Sequence, residues 1–550
     1  MTGRAGAAFD IAGAARRIDD MLRHAARDHA ASPAIDFMGR VWRYSTLDTC
    51  VDRAAAGLQR LGVVRGTRVG LCLPNTPYAV IFYFAVLRAG GIVVNYNPLY
   101  VERELAYAIG DSGTDIMVTI DLALIYPKLA RVAAQTGLKK LVVCPMAGAL
   151  PRMKGMLYPW LRQRDIVTPT RDDITVRYAE LMRNDGTPAA VAVDVQDVAV
   201  LQYTGGTTGT PKAAALTHAN ITCNCAQVAA GMGMAGQDRV LGVLPLFHVF
   251  ALTTVMNMAV DKAALMILLP RFELNDVLAT IARARPTMFP AVPTIYTALL
   301  AAAAKRKVSL GSIRLCISGG APLPVETRQK FMALTGCELM EGYGLSETSP
   351  VVTFTPPGDR YKNGSVGLPV AGTVVEIRDP EHPARVMAPG ARGEICIRGP
   401  QVMRGYWNRA AETADVMVEG ALRTGDIGYL DDDGYLFLVD RIKDVIIAGG
   451  YNVYPRVLEE ALYQHPAVQD AVVIGVADAY RGQAPKAFVT LKEGTAATPA
   501  ELLAFLSDYV SKIEMPKEVE IRAALPKTLI GKLSKKELVA EEAAKKTVLS

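Results

Sequence analysis

Residues 203–212 read Tyr-Thr-Gly-Gly-Thr-Thr-Gly-Thr-Pro-Lys, and this segment restricts the chain more than any other. An apolar run at 198–203 leads in and reads as a buried strand, while the stretch 213–232 leads out and is compatible with a helix. Three glycines, Gly205, Gly206 and Gly209, permit backbone angles that turn successive N–H groups into one concavity. Thr204, Thr207, Thr208 and Thr210 add hydroxyls and Lys212 adds a positive charge. Such a cradle suits a polyphosphate. It is not a Walker A loop, in which the lysine follows glycine directly and precedes Ser or Thr. A Gly/Thr-rich surface turn is the competing reading of these residues alone.

The 550 residues suffice for two to four domains. With 51% hydrophobic and 21% charged residues the chain is globular, and a net charge of +6 is too small at this length to point to nucleic acid. Eight cysteines contain no CxxC pair, and Cys223 and Cys225 have no matching His/Cys cluster, so free thiols are expected and zinc is not. Asp10, Asp19 and Asp20 interrupt any signal-like N-terminus, and the longest apolar run, 79–87, is far short of a membrane span. A cytoplasmic protein, or one peripheral on the inner membrane, is expected.

Strand-like and helix-like runs alternate along the first two thirds of the chain. Helical spacing covers 11–26, and a helix is expected from Ser45, with Asp48 completing a capping box, to Gly62. Strands are expected at 69–73, 91–95, 116–119, 141–144, 198–203, 240–244, 264–269 and 313–318, a rhythm that predicts layered α/β structure with parallel sheets. From 350 to about 440, short strands at 373–378, 393–398 and 435–439 between Gly, Pro and Asp turns predict a β-barrel-like subdomain. Beyond Arg441 the pattern changes to mixed α+β. Thr498-Pro499-Ala500-Glu501 is a capping box ahead of a helix with an apolar face of Leu502, Phe505, Leu506, Tyr509 and Ile513.

Four further motifs carry chemistry. In Glu341-Gly342-Tyr343-Gly344-Leu345-Ser346-Glu347-Thr348, a tyrosine between glycines can lay its ring on a flat base, and Glu347 offers the hard oxygen that Mg²⁺ prefers. A turn with a surface carboxylate is the alternative. Asp426, after Thr424-Gly425, can accept ribose hydroxyls, or simply close a hairpin. Ser318-Gly319-Gly320-Ala321 ends a strand in glycines that let backbone approach a ligand. Gly531-Lys532 places a lysine on a flexible turn near the end of the chain, where a solvated tail charge is the plainer reading.

Taken together, these motifs resemble, in order and spacing, the acyl-adenylate-forming superfamily from about Tyr44 to Leu538. Residues 245–250 (PLFHVF), 401–407 (QVMRGYW) and 449–455 (GGYNVYP) resemble the bacterial long-chain fatty-acyl-CoA synthetases. The resemblance implies a large N-terminal domain, 1–441, of α/β subdomains plus the β-rich part, and a small mobile lid, 442–550, hinged near Lys443. It implies that Thr204 and Glu347 hold Mg²⁺ and that Gly205, Gly206, Thr207, Thr208, Gly209 and Lys212 wrap the ATP phosphates. Gly320, Ala321 and Tyr343 would frame adenine, with Glu341, Gly342, Gly344 and Ser346 in the same ATP-binding motif. Asp426 and Arg441 would take the ribose, and Lys532 would bridge the carboxylate and the α-phosphate. His248 would gate the acyl pocket, a buried structural histidine being the alternative. Gly449, Gly450 and Tyr451 would meet CoA after the lid turns. The chain departs from the family at Ala213, where glycine is usual, at Ser346 for threonine, and at Lys535 and Lys536 for arginines, with Ser534 where an apolar residue is frequent.

The implied reaction joins a medium- to long-chain fatty acid to CoA through acyl-AMP. The same chemistry on a dicarboxylic or aromatic acid, and a non-catalytic lipid-binding protein on the same fold, are the alternatives. The chain ends soon after Lys532, so free CoA rather than an appended carrier domain is the expected acceptor. Oligomeric state stays open, a homodimer included. Residues 145–165 interleave Leu150, Met153, Met156, Leu157, Trp160 and Leu161 with Arg152, Lys154, Arg162 and Arg164, which reads equally as a buried connection or as a reversible contact with a membrane surface.

Overall fold

In the computed structural model, residues 9–204, 211–305, 308–448, 451–478, 481–528 and 532–548 are described. Gly205, Gly206, Thr207, Thr208, Gly209, Gly449 and Gly450 lie outside them.

The alternating apolar runs form two large, mostly parallel sheets. In one, six parallel strands run in the order Glu338–Gly344, Leu315–Gly319, Met288–Ala291, Arg239–Gly242, Leu265–Leu268, Pro33–Phe37, flanked by antiparallel edge strands. In the other, Val198–Thr204, Ile92–Asn95, Arg68–Leu71, Ile116–Ile120, Lys140–Cys144 and Thr175–Arg177 are parallel. One continuous apolar core joins both sheets. The helix Pro77–Arg88, which contains the longest apolar run, is buried on every side, as a helix apolar all round must be. Among the described residues no helix is long and apolar enough to cross a membrane.

Several boundaries differ from the sequence expectation, each for a packing reason. The chain does not enter a helix at Ala213. Lys212–Thr217 is a strand, antiparallel to Val198–Thr204, and the helix is His218–Met232. Ala213 to Leu216 are all buried, so pairing on both sides overrides the helical preference of alanine. Thr217 then caps the helix, its hydroxyl accepting from the Asn220 N–H while the Asn220 side chain accepts from the Thr217 N–H.

The expected capping box at Ser45 does not form either. The helix is Tyr44–Arg60, and Asp48 instead joins Asp52 in clasping the buried guanidinium of Arg88, both at 2.7 Å. A buried charge is tolerated only when paired, and that requirement outweighs a cap. The N-terminal pattern splits into Ile11–Ala14 and Ile18–Asp28, because the Ile18 N–H donates to His218 Nδ1 at the break.

Beyond the edge strand Val351–Phe354, which belongs to the first large sheet, the β-rich region is a five-stranded antiparallel sheet spanning Val374–Arg378 to Leu436–Arg441. The C-terminal part has its own five-stranded sheet and its own core around Val473, Ala487, Leu458 and Leu502. The Thr498 box forms as expected, but the helix Pro499–Leu506 is shorter, and Tyr509 and Ile513 are exposed beyond its end.

Candidate active site

The glycine-ended strands Leu315–Gly319 and Glu338–Gly344 lie side by side, with Gly319 paired to Gly342. Gly320 follows at φ +82°, and a Cβ built there would stand 2.7 Å from Lys532 Cε. Only glycine lets this lysine lie against the strand end. Lys532 is tied to Thr528, the Lys532 N–H donating to Thr528 Oγ1 at 3.1 Å and the Thr528 N–H to the Lys532 carbonyl. The C-terminal part is docked to the large one through Asp440, which accepts from the Arg456 N–H at 2.8 Å. Lys535 pairs with Glu459 at 3.1 Å.

Lys532, His248 and Gly320 line one small cavity with Leu244, Pro245, Phe250 and Val292. Its volume, about 10 Å³, leaves room for a single water at most. Burial, then repulsion from Arg441, pushes the Lys532 ammonium down to about 8, against attraction by Asp426. His248 is held down to about 3, by burial first and the lysine second, so the imidazole is neutral. Its Nδ1 accepts from the Phe250 N–H at 3.3 Å, which leaves the proton on Nε2, facing away from that bond. The ring retains partial solvent contact at the cavity wall, although protein surrounds it.

The turn that carries His248 is pinned by two buried amides that sequence reasoning missed. Asn75 donates to the Leu244 carbonyl at 2.8 Å and accepts from the Leu246 N–H at 2.8 Å. Gln202 donates to the Phe247 carbonyl at 3.0 Å and accepts from Asn95, its register partner on the neighbouring strand. A glutamine inside the apolar run 198–203 was the available signal for Gln202, whereas Asn75 lies in a Pro-flanked turn outside any apolar run.

Asp426 and Arg441 face each other across an antiparallel pair, Arg441 Nε lying 3.3 Å from Asp426 Oδ1. The Tyr343 hydroxyl donates to the other oxygen of Asp426 at 2.7 Å. Tyr343 is buried against Val352, Val366 and Ile395. Glu341 is a buttress. Its carboxyl, pushed up to about 7 by burial, accepts from the Leu323 N–H at 3.1 Å and so fixes the Ala321–Leu323 segment. Gly342, Gly344 and Ser346 sit on the same strand and the turn that follows it.

Glu347 stands on that turn with its carboxyl raised, mainly by burial, and its Oε1 accepting from the Tyr406 hydroxyl at 2.8 Å. No ion pair to it is found among the described residues. Thr204 ends its strand opposite Lys212, to whose carbonyl its hydroxyl donates at 3.3 Å. The Lys212 ammonium lies 5.2 Å from the centre of the Tyr406 ring. Tyr406 therefore links the turn bearing Glu347 to Lys212. A half-buried carboxylate without an ion-pair partner among the described residues fits a hard divalent ion that takes its other ligands from phosphate and water. Among the described residues no cluster of three or more His, Cys, Asp or Glu could hold a metal alone.

Tyr451 is 60% exposed on the strand Tyr451–Val453 and does not line the cavity. Lys443 is exposed on the helical turn Ile442–Asp444 between the two parts.

The family model for AMP-binding enzymes matches residues 22–407, and that for the AMP-binding enzyme C-terminal domain matches 457–532. A long-chain-fatty-acid–CoA ligase of Bacillus subtilis (strain 168) is 42% identical over 533 residues, 96% of this chain and 95% of that one. ATP-bound MatB from Rhodopseudomonas palustris superposes with a TM-score of 0.83 at 29% identity, over 95% of this chain and 98% of its own. The anthranilate CoA ligase AuaEII in complex with anthranoyl-AMP superposes with a TM-score of 0.86 at 25% identity, over 97% and 98%. Matched over both its parts and along nearly its whole length, the chain belongs to the AMP-binding enzyme family.

Proposed function

We propose that this enzyme uses ATP to convert a medium- to long-chain fatty acid to acyl-AMP, and then transfers the acyl group to CoA. The carrying observation is the convergence of Lys532, His248 and Gly320 on one cavity beside Asp426 and Arg441. A carboxylate is a poor electrophile, because oxide cannot leave. In the first step a carboxylate oxygen attacks the α-phosphorus, forming a P–O bond as the bond to the β-phosphate oxygen breaks and pyrophosphate departs. Lys532 would neutralise charge on the carboxylate and the α-phosphate, and Lys212 would act likewise on the outer phosphates. Asp426 would accept from the ribose hydroxyls with Arg441 fixing its orientation, and Tyr343 would lie against the base. Thr204 and Glu347 would hold Mg²⁺, which when bound supplies further neutralisation of phosphate charge.

In the second step the CoA sulfur attacks the acyl carbon, the thiol proton is lost, and AMP leaves. A site filled by Lys532 has no room for a thiol. The C-terminal part would therefore turn about Lys443, withdrawing Lys532 and bringing Gly449, Gly450 and Tyr451 to the reacting centre. The arrangement with Lys532 inside corresponds to the adenylating half of such a cycle. The apolar walls Leu244, Pro245, Phe250 and Val292, and the name of the B. subtilis relative, support an aliphatic acid. An aromatic acid is the second reading, favoured by the similarity to the anthranilate ligase. Acid-dependent pyrophosphate release should be measured from hexanoate to octadecanoate, with matched dicarboxylates and benzoates. A preference for the long monocarboxylates is expected, and a preference for benzoates would replace the aliphatic reading.

The lowered Lys532 ammonium gives a pH prediction. Below about 8 it carries its charge, and above that value the charge is lost. Since kcat/KM reports the free enzyme, kcat/KM for ATP in adenylation should fall by about tenfold per pH unit above this point. Lys532→Arg, which stays charged, should flatten that limb even though its planar head lowers the rate. A profile with no descending limb between neutral pH and the ordinary lysine range would remove Lys532 from this role.

A further inference from the structure

The helix Arg152–Leu161 has no buried residue. Met153, Met156, Leu157, Trp160 and Leu161 are 76%, 73%, 50%, 85% and 75% exposed, whereas the other exposed large apolar side chains are scattered along the chain. At about 100° per residue these five fall within an arc of roughly 140°, with Arg152 bounding one margin and Lys154 the other. The inner face explains why the helix holds this orientation. A Cβ at Gly155 would collide with the Ala147 carbonyl, so the backbone lies directly on the preceding short helix Met146–Ala149. Tyr158, on the same inner side, packs against the main core. The helix is thus fastened to the protein by its small face and turns its apolar face outward.

Charge decides what fits there. From 145 to 164 the chain contains Arg152, Lys154, Arg162 and Arg164 and no acidic residue; among the described residues only Arg162 of these four forms an ion pair, with Asp165. An apolar stripe carrying a tryptophan and edged by unopposed cations matches a bilayer boundary with anionic headgroups, into which the stripe sinks while the basic side chains meet phosphate. We propose that the helix Arg152–Leu161 docks the enzyme reversibly on anionic membrane surfaces. This inference rests on the surface alone and not on which acid the site activates. Of the two sequence readings of 145–165, the buried connection holds only for Leu150 and the short helix before it.

The test uses the full chain without acid, ATP or CoA, so that the acyl site cannot recruit it. Vesicles of phosphatidylcholine with about 30% phosphatidylglycerol should carry the protein in flotation at low salt and release it at high salt, where the attraction is screened. Lipids brominated along the acyl chain should quench tryptophan fluorescence in the parent protein, and Trp160→Phe should remove that quenching. The pair Arg152→Glu with Lys154→Glu should lower partition about tenfold or more. Met156→Ser with Trp160→Ser should abolish it. Both double variants replace exposed side chains, so their thermal transitions and their turnover of a water-soluble short acid should match the parent. Absence of quenching in the parent protein, or vesicle binding unaltered in both variants, would overturn the proposal. So would a dimer in sedimentation that Met156→Ser with Trp160→Ser dissolves, since the face would then belong to a second copy of the chain.

Discussion

Lys532→Ala is expected to slow acyl-AMP formation by roughly 10²–10³-fold, while conversion of supplied acyl-AMP and CoA stays near the parent rate. The ammonium lies against Gly320 in a cavity with room for one water, so its charge acts where little solvent screens it. Nothing else in the cavity wall can replace it, because His248 is neutral and the other side chains there are apolar. The asymmetry between half-reactions follows from geometry. The Lys532 ammonium can serve the first step only by filling space that the thiol needs in the second. Rapid-quench measurement of each half-reaction separates the two. An equal fall in both, in a folded variant, would discard rotation about Lys443. The variant should also be no less stable than the parent without ligand, since among the described residues the Lys532 ammonium has no carboxylate within ion-pair distance and desolvation outweighs the attraction of Asp426.

Glu347→Gln is the second large effect. The half-buried carboxylate has a hydroxyl donor in Tyr406 and no ion pair among the described residues, Arg441 acting on it only at longer range, so it is available to a divalent ion. An amide keeps the shape and the bond from Tyr406 but offers a weak, uncharged oxygen. The Mg²⁺ concentration for half-maximal adenylation should rise by about a hundredfold, and saturating metal should not restore the full rate. Tyr406→Phe removes only the donor that orients the carboxylate and should raise that concentration by about tenfold, the usual size of an outer-partner effect. Initial rates against Mg²⁺ at fixed ATP distinguish the two. An unchanged dependence in Glu347→Gln would move the cation to other residues.

Much of this molecule could be read before any coordinates. The apolar runs of the two parallel sheets are short, β-branched and bounded by turns, so local pattern and tertiary structure agree to within one or two residues at most ends. The capping box at Thr498 and the glycine strand end at Gly319 were legible for the same reason: each satisfies a demand set by its immediate neighbours. Where a residue type fits two local states, the sequence could not choose. Alanines 213–215 suit a helix as well as a strand, and the partner Val198–Thr204 made them a strand. Asp48 suits a cap, and the buried Arg88 took it instead.

What the sequence alone determined is the set of chemical groups and the order in which they occur, because motif chemistry depends on residues a few positions apart. What only the tertiary structure decided is which of them meet. Lys532 reaches Gly320 across 212 positions, Tyr406 joins Lys212 to Glu347, and Asn75 and Gln202 grip the turn bearing His248. The outward face of Arg152–Leu161 belongs to the same class, since apolar residues at helical spacing ordinarily mark a core. Periodicity reports that a helix has two faces. Which of them turns inward depends on what it is packed against, here a glycine and a tyrosine seated on the preceding helix and the main core.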